Sequence, residues 1–158
     1  MVDWGIDRRW LLTDKAGDRE VSTSELLSFG ACGLLGAVGL GKTHELARLE
    51  DSLNRDGKHV LKKRFVEIGF DDSGDSLRRG LTEFSAELTA DSILLLDALD
   101  EAMIRIRKIG AVVAHWIEHD LTDIRPTLLI SCRSAVWPSE ILTALQKVYG
   151  DNVRQAAI

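Results

Sequence analysis

The residues with the clearest chemistry run Gly36-Ala37-Val38-Gly39-Leu40-Gly41-Lys42-Thr43. They fit the spacing G-x-x-x-x-G-K-[ST], in which a glycine-rich turn lets backbone N–H groups converge on an anion where side chains would obstruct them. The apolar run Ala31-Cys32-Gly33-Leu34-Leu35 precedes the turn, and Leu46, Leu49 and Leu53 follow it at helical spacing. Strand, glycine loop and helix in that order put the positive end of a helix dipole at the loop. On this reading Gly36, Gly39, Leu40, Gly41, Lys42, Thr43 and His44 enclose the phosphates of a nucleotide. Lys42 reaches the β- and γ-phosphates as a point charge, and the Thr43 hydroxyl binds Mg²⁺. ATP or ADP with Mg²⁺ is the expected cofactor.

A hydrated Mg²⁺ beside phosphates needs a carboxylate at the end of a neighbouring buried strand. The run Ile93-Leu94-Leu95-Leu96 is continuously apolar, as in a strand covered on both faces, and it ends in Asp97. Asp97 is the expected metal-side carboxylate, and Asp100 and Glu101 follow within one turn.

The elements that must position these groups alternate. A strand over 31–35 leads through the glycine loop into a helix from Thr43. After the breaker Asp56-Gly57, residues 63–68 are expected as a second strand and Asp71–Asp75 as a loop. A helix over about 76–88 precedes the strand ending in Asp97. Ile109, Val112, Val113, Trp116 and Ile117 share one helical face, which predicts a third helix over about 102–119 before Pro126. Thr127–Ser131 is expected as a fourth strand, Pro138–Val148 as a helix begun by Ser139, and Asn152–Ile158 as the start of a fifth strand. Alternating strands and helices predict a parallel α/β architecture. With 158 residues and 45% hydrophobic composition, one domain over residues 1–158 is expected.

Taken together, Leu94-Leu95-Leu96-Asp97-Ala98-Leu99-Asp100-Glu101-Ala102 resembles the extended acidic motif of NACHT-type signalling ATPases, within the STAND class of P-loop NTPases. AAA+ ATPases place a glutamate directly after the magnesium aspartate, where this chain has Ala98. Leu128-Leu129-Ile130-Ser131-Cys132-Arg133-Ser134 resembles the family's fourth-strand motif, with Ser134 where proline is frequent. The matches cover about residues 8–135. The resemblance implies a three-layer α/β fold with a central parallel sheet in the order 5-1-4-3-2, stopping near the fifth strand. It also implies a slowly hydrolysing, nucleotide-dependent signalling switch. In that switch Asp100 or Glu101 orients the attacking water, Glu101 being favoured for its longer reach, and Arg133 senses or stabilises the γ-phosphate. Regulatory or sensor regions of the same protein beyond residue 158 and nucleotide-dependent homo-oligomers are the implied partners. An AAA+ remodelling motor and a nucleotide-holding interaction module without turnover are the rival readings.

Other signals point elsewhere and are weaker. His115-Trp116-Ile117-Glu118-His119 fits H-x-x-E-H, a zinc-protease pattern, but the histidines fall beside the apolar face and no third ligand is evident in the sequence, so they read as flanks of a packed helix. Lys58, Lys62, Lys63 and Arg64 surround the expected second strand, where edge lysines discourage strand pairing. The net charge of −5 gives no general pull toward nucleic acid, although a local patch can oppose the average. Trp10, beside Arg8 and Arg9, stands where related ATPases cover the adenine base, and core packing is the preferred reading. Cys32 and Cys132 fall on strands expected to be neighbours and read as small, reduced core residues. With no signal segment before Trp4 and no apolar run of roughly 20 residues, a cytoplasmic protein without a membrane partner is expected.

Overall fold

The computed structural model describes residues 9–14, 16–37 and 41–157. In chain order the elements are β1 (Arg9–Asp14), β2 (Gly17–Ser22), α1 (Thr23–Leu26), β3 (Ala31–Leu35), α2 (Lys42–Arg55), β4 (Val60–Arg64), α3 (Phe65–Ile68), α4 (Asp75–Ser85), β5 (Ile93–Asp97), α5 (Leu99–Met103), α6 (Ile109–Asp120), β6 (Thr127–Cys132), α7 (Ser139–Tyr149) and β7 (Val153–Ala157). The strands form a seven-stranded sheet in the order β2-β1-β7-β3-β6-β5-β4.

The sheet is mixed and mostly parallel, where a central parallel sheet was expected, and the β1–β2 hairpin adds the antiparallel part. β7, β3, β6, β5 and β4 are parallel neighbours, while β1 pairs antiparallel with both β2 and β7. The hairpin escaped the pattern reading because β1 buries only Trp10 and Leu12, with the apolar Leu11 between them exposed, and β2 has four exposed residues before Val21. Lys62, Lys63 and Arg64 lie on β4, which is an edge strand as expected.

Each buried strand feeds two cores because successive side chains point to opposite faces. On one face Ala31, Leu35, Leu94, Leu96, Leu128, Ile130 and Cys132 meet the apolar sides of α4, α6 and α7. On the other, Cys32, Leu34, Leu95, Leu129 and Ala156 meet Leu46, Leu49 and Leu53 of α2 together with Trp10, Leu12 and Val21 of the hairpin. Cys32 and Cys132 therefore belong to opposite faces, and both are free thiols. Burial drives both upward, from 9.0 to about 12.

Two expected elements shift. β4 spans 60–64 rather than 63–68, because Phe65 turns fully into the core and opens the short helix α3. The helix expected over 102–119 is divided into α5 and α6, with Ile106 buried in the connection while Ile104 faces solvent. Close backbone approach fixes the turn after α3: a Cβ on Gly69 would lie 2.3 Å from the Ser76 carbonyl carbon.

Among the described residues, no helix is long and apolar enough to cross a membrane.

Candidate phosphate site at the strand ends

β3 runs in the middle of the sheet and delivers the glycine turn to its carboxyl end. The Gly36 N–H donates to the Cys132 carbonyl at 3.3 Å, tying the start of the turn to β6. Val38, Gly39 and Leu40 lie outside the described residues. Gly41 precedes α2 with φ 83° and ψ 20°, a left-handed conformation that favours glycine. Its carbonyl accepts from the Glu45 N–H at 2.9 Å, closing the first turn of the helix. The Lys42 ammonium folds back and donates to the Gly36 carbonyl at 2.8 Å and the Ala37 carbonyl at 2.9 Å. Its positive charge thus sits over the base of the turn. Thr43 and His44 are exposed on the same first turn of α2.

Asp97 is placed by a different device. It ends β5 with only 2% of its surface exposed. Ser131, wholly buried on β6, donates its hydroxyl to Asp97 Oδ1 and accepts the Ala98 N–H at 2.8 Å. Ala98 has φ 59° and ψ 53°, a left-handed conformation costing an L-residue about 1–2 kcal/mol. One hydroxyl therefore holds both the carboxylate and the strained turn behind it. The sequence marked Ser131 only as the polar end of an apolar strand.

The two acids of α5 part company. Asp100 lies close enough to Cys132 for its charge to raise that thiol, while Lys42 acts on the same thiol in the opposite sense. Cys132 is thus the common neighbour of Lys42 and Asp100. Glu101 is engaged elsewhere, accepting from the Arg64 guanidinium at the end of β4. Its longer side chain, expected to reach back toward the phosphates, instead spans outward to the edge strand, where Arg64 stands level with Asp97. Both partners are more than 40% exposed, so this pair contributes less than about 1 kcal/mol.

Arg133 is exposed and begins the turn that leads into the short 3-10 helix Ser134–Val136. Trp137 anchors that turn against β3: a Cβ on Gly33 would come within 3.0 Å of its ring, so glycine there leaves the indole its seat.

Trp10 is fully buried, as the packing reading expected. It belongs to a polar chain that the sequence reading missed. Its indole Nε1 donates to Thr23 Oγ1 at 2.8 Å, and Thr23 donates to Glu45 Oε1 at 2.6 Å. Arg48 completes the chain with Nη2 at 2.8 Å from Glu45 Oε1. A signal for Glu45 existed, since it falls four residues before Leu49 on the buried stripe of α2.

His115 and His119 are exposed and stack at 3.8 Å between ring centroids, and Val112, Val113, Trp116 and Ile117 fill the buried face beside them. Among the described residues, no three histidine, cysteine or acidic groups converge as a metal site would require.

No family model matches the chain, and no curated protein matches it. Among solved structures it is similar to the cytoplasmic domain of EssC, with a TM-score of 0.43 and 13% identity over 95% of this chain. The chain spans 37% of the length of that structure, and a likeness at this level carries no argument about activity.

Proposed function

We propose that this chain is a P-loop NTPase core of the STAND type, resembling NACHT domains, that binds Mg-ATP or Mg-ADP and turns ATP over slowly as a signalling switch. The observation that carries the reading is the seating of two sequence signatures at one end of the sheet. The glycine turn leaves β3 and Asp97 leaves β5, with only β6 between them. Two strand spacings amount to about 10 Å, room for a phosphate tail and a hydrated cation. Numbered among themselves, the five parallel strands read 5-1-4-3-2, which supports the same reading.

The donor set suits Mg²⁺: the Thr43 hydroxyl and the Asp97 carboxylate are hard oxygen ligands. When bound, the cation supplies neutralisation of phosphate charge. The first N–H groups of α2 are the backbone donors, and Lys42 adds a point charge. Ser131 holds Asp97 in one orientation. Between the two candidate bases, Asp100 is preferred as the group that orients water, because it shares a neighbour with Lys42 while Glu101 is held by Arg64. Arg133, exposed on the adjoining turn, is the group proposed to sense the γ-phosphate. Nucleotide-dependent self-association belongs to the proposed switch.

Phosphate release from Mg-ATP tests this assignment. The chain should turn over well below the roughly 10 s⁻¹ typical of enzymes. Asp100→Asn should bind ATP and lose roughly 10²-fold in rate, the usual scale for a positioned base. A larger loss in Glu101→Gln would return the role to Glu101. ATP binding with no turnover in the parent would favour the nucleotide-holding module.

A further inference from the structure

The chain Trp10–Thr23–Glu45–Arg48 takes no direct part in the proposed chemistry, and three of its four members are buried. Glu45 is 4% exposed, Thr23 2% and Trp10 not at all. Burying polar groups costs free energy unless each finds its partner, and a completed network fixes one arrangement where an apolar contact tolerates several. Apolar docking was available here, because Trp10, Leu12 and Val21 already pack against Leu46, Leu49 and Leu53. The directional bonds add what apolar contact lacks, a fixed rotation and register of α2 against the hairpin.

That rotation bears on the phosphate loop. Glu45 is the residue whose N–H closes the first turn on Gly41, and Lys42 stands three residues before it, about 4.5 Å along the helix axis. Turning Glu45 about that axis swings Lys42 and Thr43 with it. Misplacement of phosphate-binding groups by about 1 Å can cost on the order of 10²-fold.

We infer that Glu45 is a positioning residue for the phosphate loop and that the β1–β2 hairpin, docked on it through Trp10 of β1 and through Thr23, which opens α1 directly after β2, is thermodynamically coupled to phosphate binding. This rests on the nucleotide reading given above. Coupling of this kind is reciprocal: a docked hairpin tightens nucleotide binding, and bound nucleotide tightens the hairpin. The hairpin is then the natural place for an upstream signal to act, since loosening it loosens the nucleotide.

The test uses the full chain, with Mg-ADP affinity by calorimetry and amide hydrogen exchange over residues 9–22. In the parent protein, saturating Mg-ADP should slow exchange in the hairpin by at least threefold. Thr23→Val keeps the shape but removes the bridging hydroxyl, and should weaken Mg-ADP at least tenfold and abolish the transmitted protection. Thr23→Ser restores the hydroxyl and should restore both. A Thr23→Val protein that is less heat-stable yet binds Mg-ADP at the parent affinity would reduce the chain to a structural role and overturn the inference. Should Thr23→Val fail to fold, the parent exchange pattern decides: protection confined to residues 41–46 overturns it equally. Absence of Mg-ADP binding in the parent would instead remove the nucleotide reading itself.

Discussion

Removing one buried hydroxyl should reveal how the candidate metal-side carboxylate is held. Ser131 is wholly buried and serves two groups at once, donating to Asp97 and accepting from the Ala98 N–H. In Ser131→Ala the hydrogen bond to a carboxylate is lost, worth about 1.5–3 kcal/mol, and a backbone N–H is orphaned, costing about 1–3 kcal/mol. Ala98 already stores left-handed strain and loses the bond that holds it there. Allowing for relaxation and entry of water, the net destabilisation should be about 2–4 kcal/mol. For a chain of this size each 1 kcal/mol lowers Tm by about 2–4 °C, giving a fall of about 4–16 °C. Urea unfolding followed by circular dichroism measures the loss directly. Ser131→Thr retains a hydroxyl and should recover part of the loss. A Ser131→Ala protein within about 0.5 kcal/mol of the parent would refute the claim that this hydroxyl braces the end of β5.

Two further outcomes follow from the packing. Burial raises Cys32 and Cys132 from 9.0 to about 12, so the unfolded chain releases protons first as pH rises. Stability contributed by the neutral thiols is intact below pH 9 and is lost as pH rises from 9 toward 12. A Cys32→Ala, Cys132→Ala double variant should show a shallower alkaline decline in urea titrations, and an unchanged slope would contradict the burial argument. Gly69→Ala should cost about 1–3 kcal/mol by overpacking, because the added methyl meets backbone rather than a movable side chain. A neutral effect in thermal unfolding would mean that the α3–α4 turn yields easily.

Legibility in the sequence followed burial. The strands ending at Leu35, Asp97 and Cys132 are covered on both faces and show as continuous apolar runs, so the groups at their ends could be named beforehand. The hairpin could not, since β2 reads Gly-Asp-Arg-Glu-Val-Ser with four exposed residues and gains its place only by pairing with β1. The break between α5 and α6 was hidden because Ile104 and Ile106 look alike in sequence, and only tertiary packing decides that one is buried. Glu101 was favoured on reach, yet reach serves any partner, and Arg64 on the edge strand captured it. Glu45 is a charged residue on an apolar stripe, and its burial depends on Arg48 and on Thr23, a partner that only the fold brings to it.

The central claim is that the turn ahead of α2 holds nucleotide phosphates through Lys42, and calorimetric titration with Mg-ATP and Mg-ADP tests it most directly. Lys42 is half-buried and bonded only to carbonyls of its own turn among the described residues, so Lys42→Ala should keep the parent fold and Tm. The parent chain should bind one nucleotide and Lys42→Ala should bind none. No heat of binding in the parent, or equal affinity in the variant, would contradict the account.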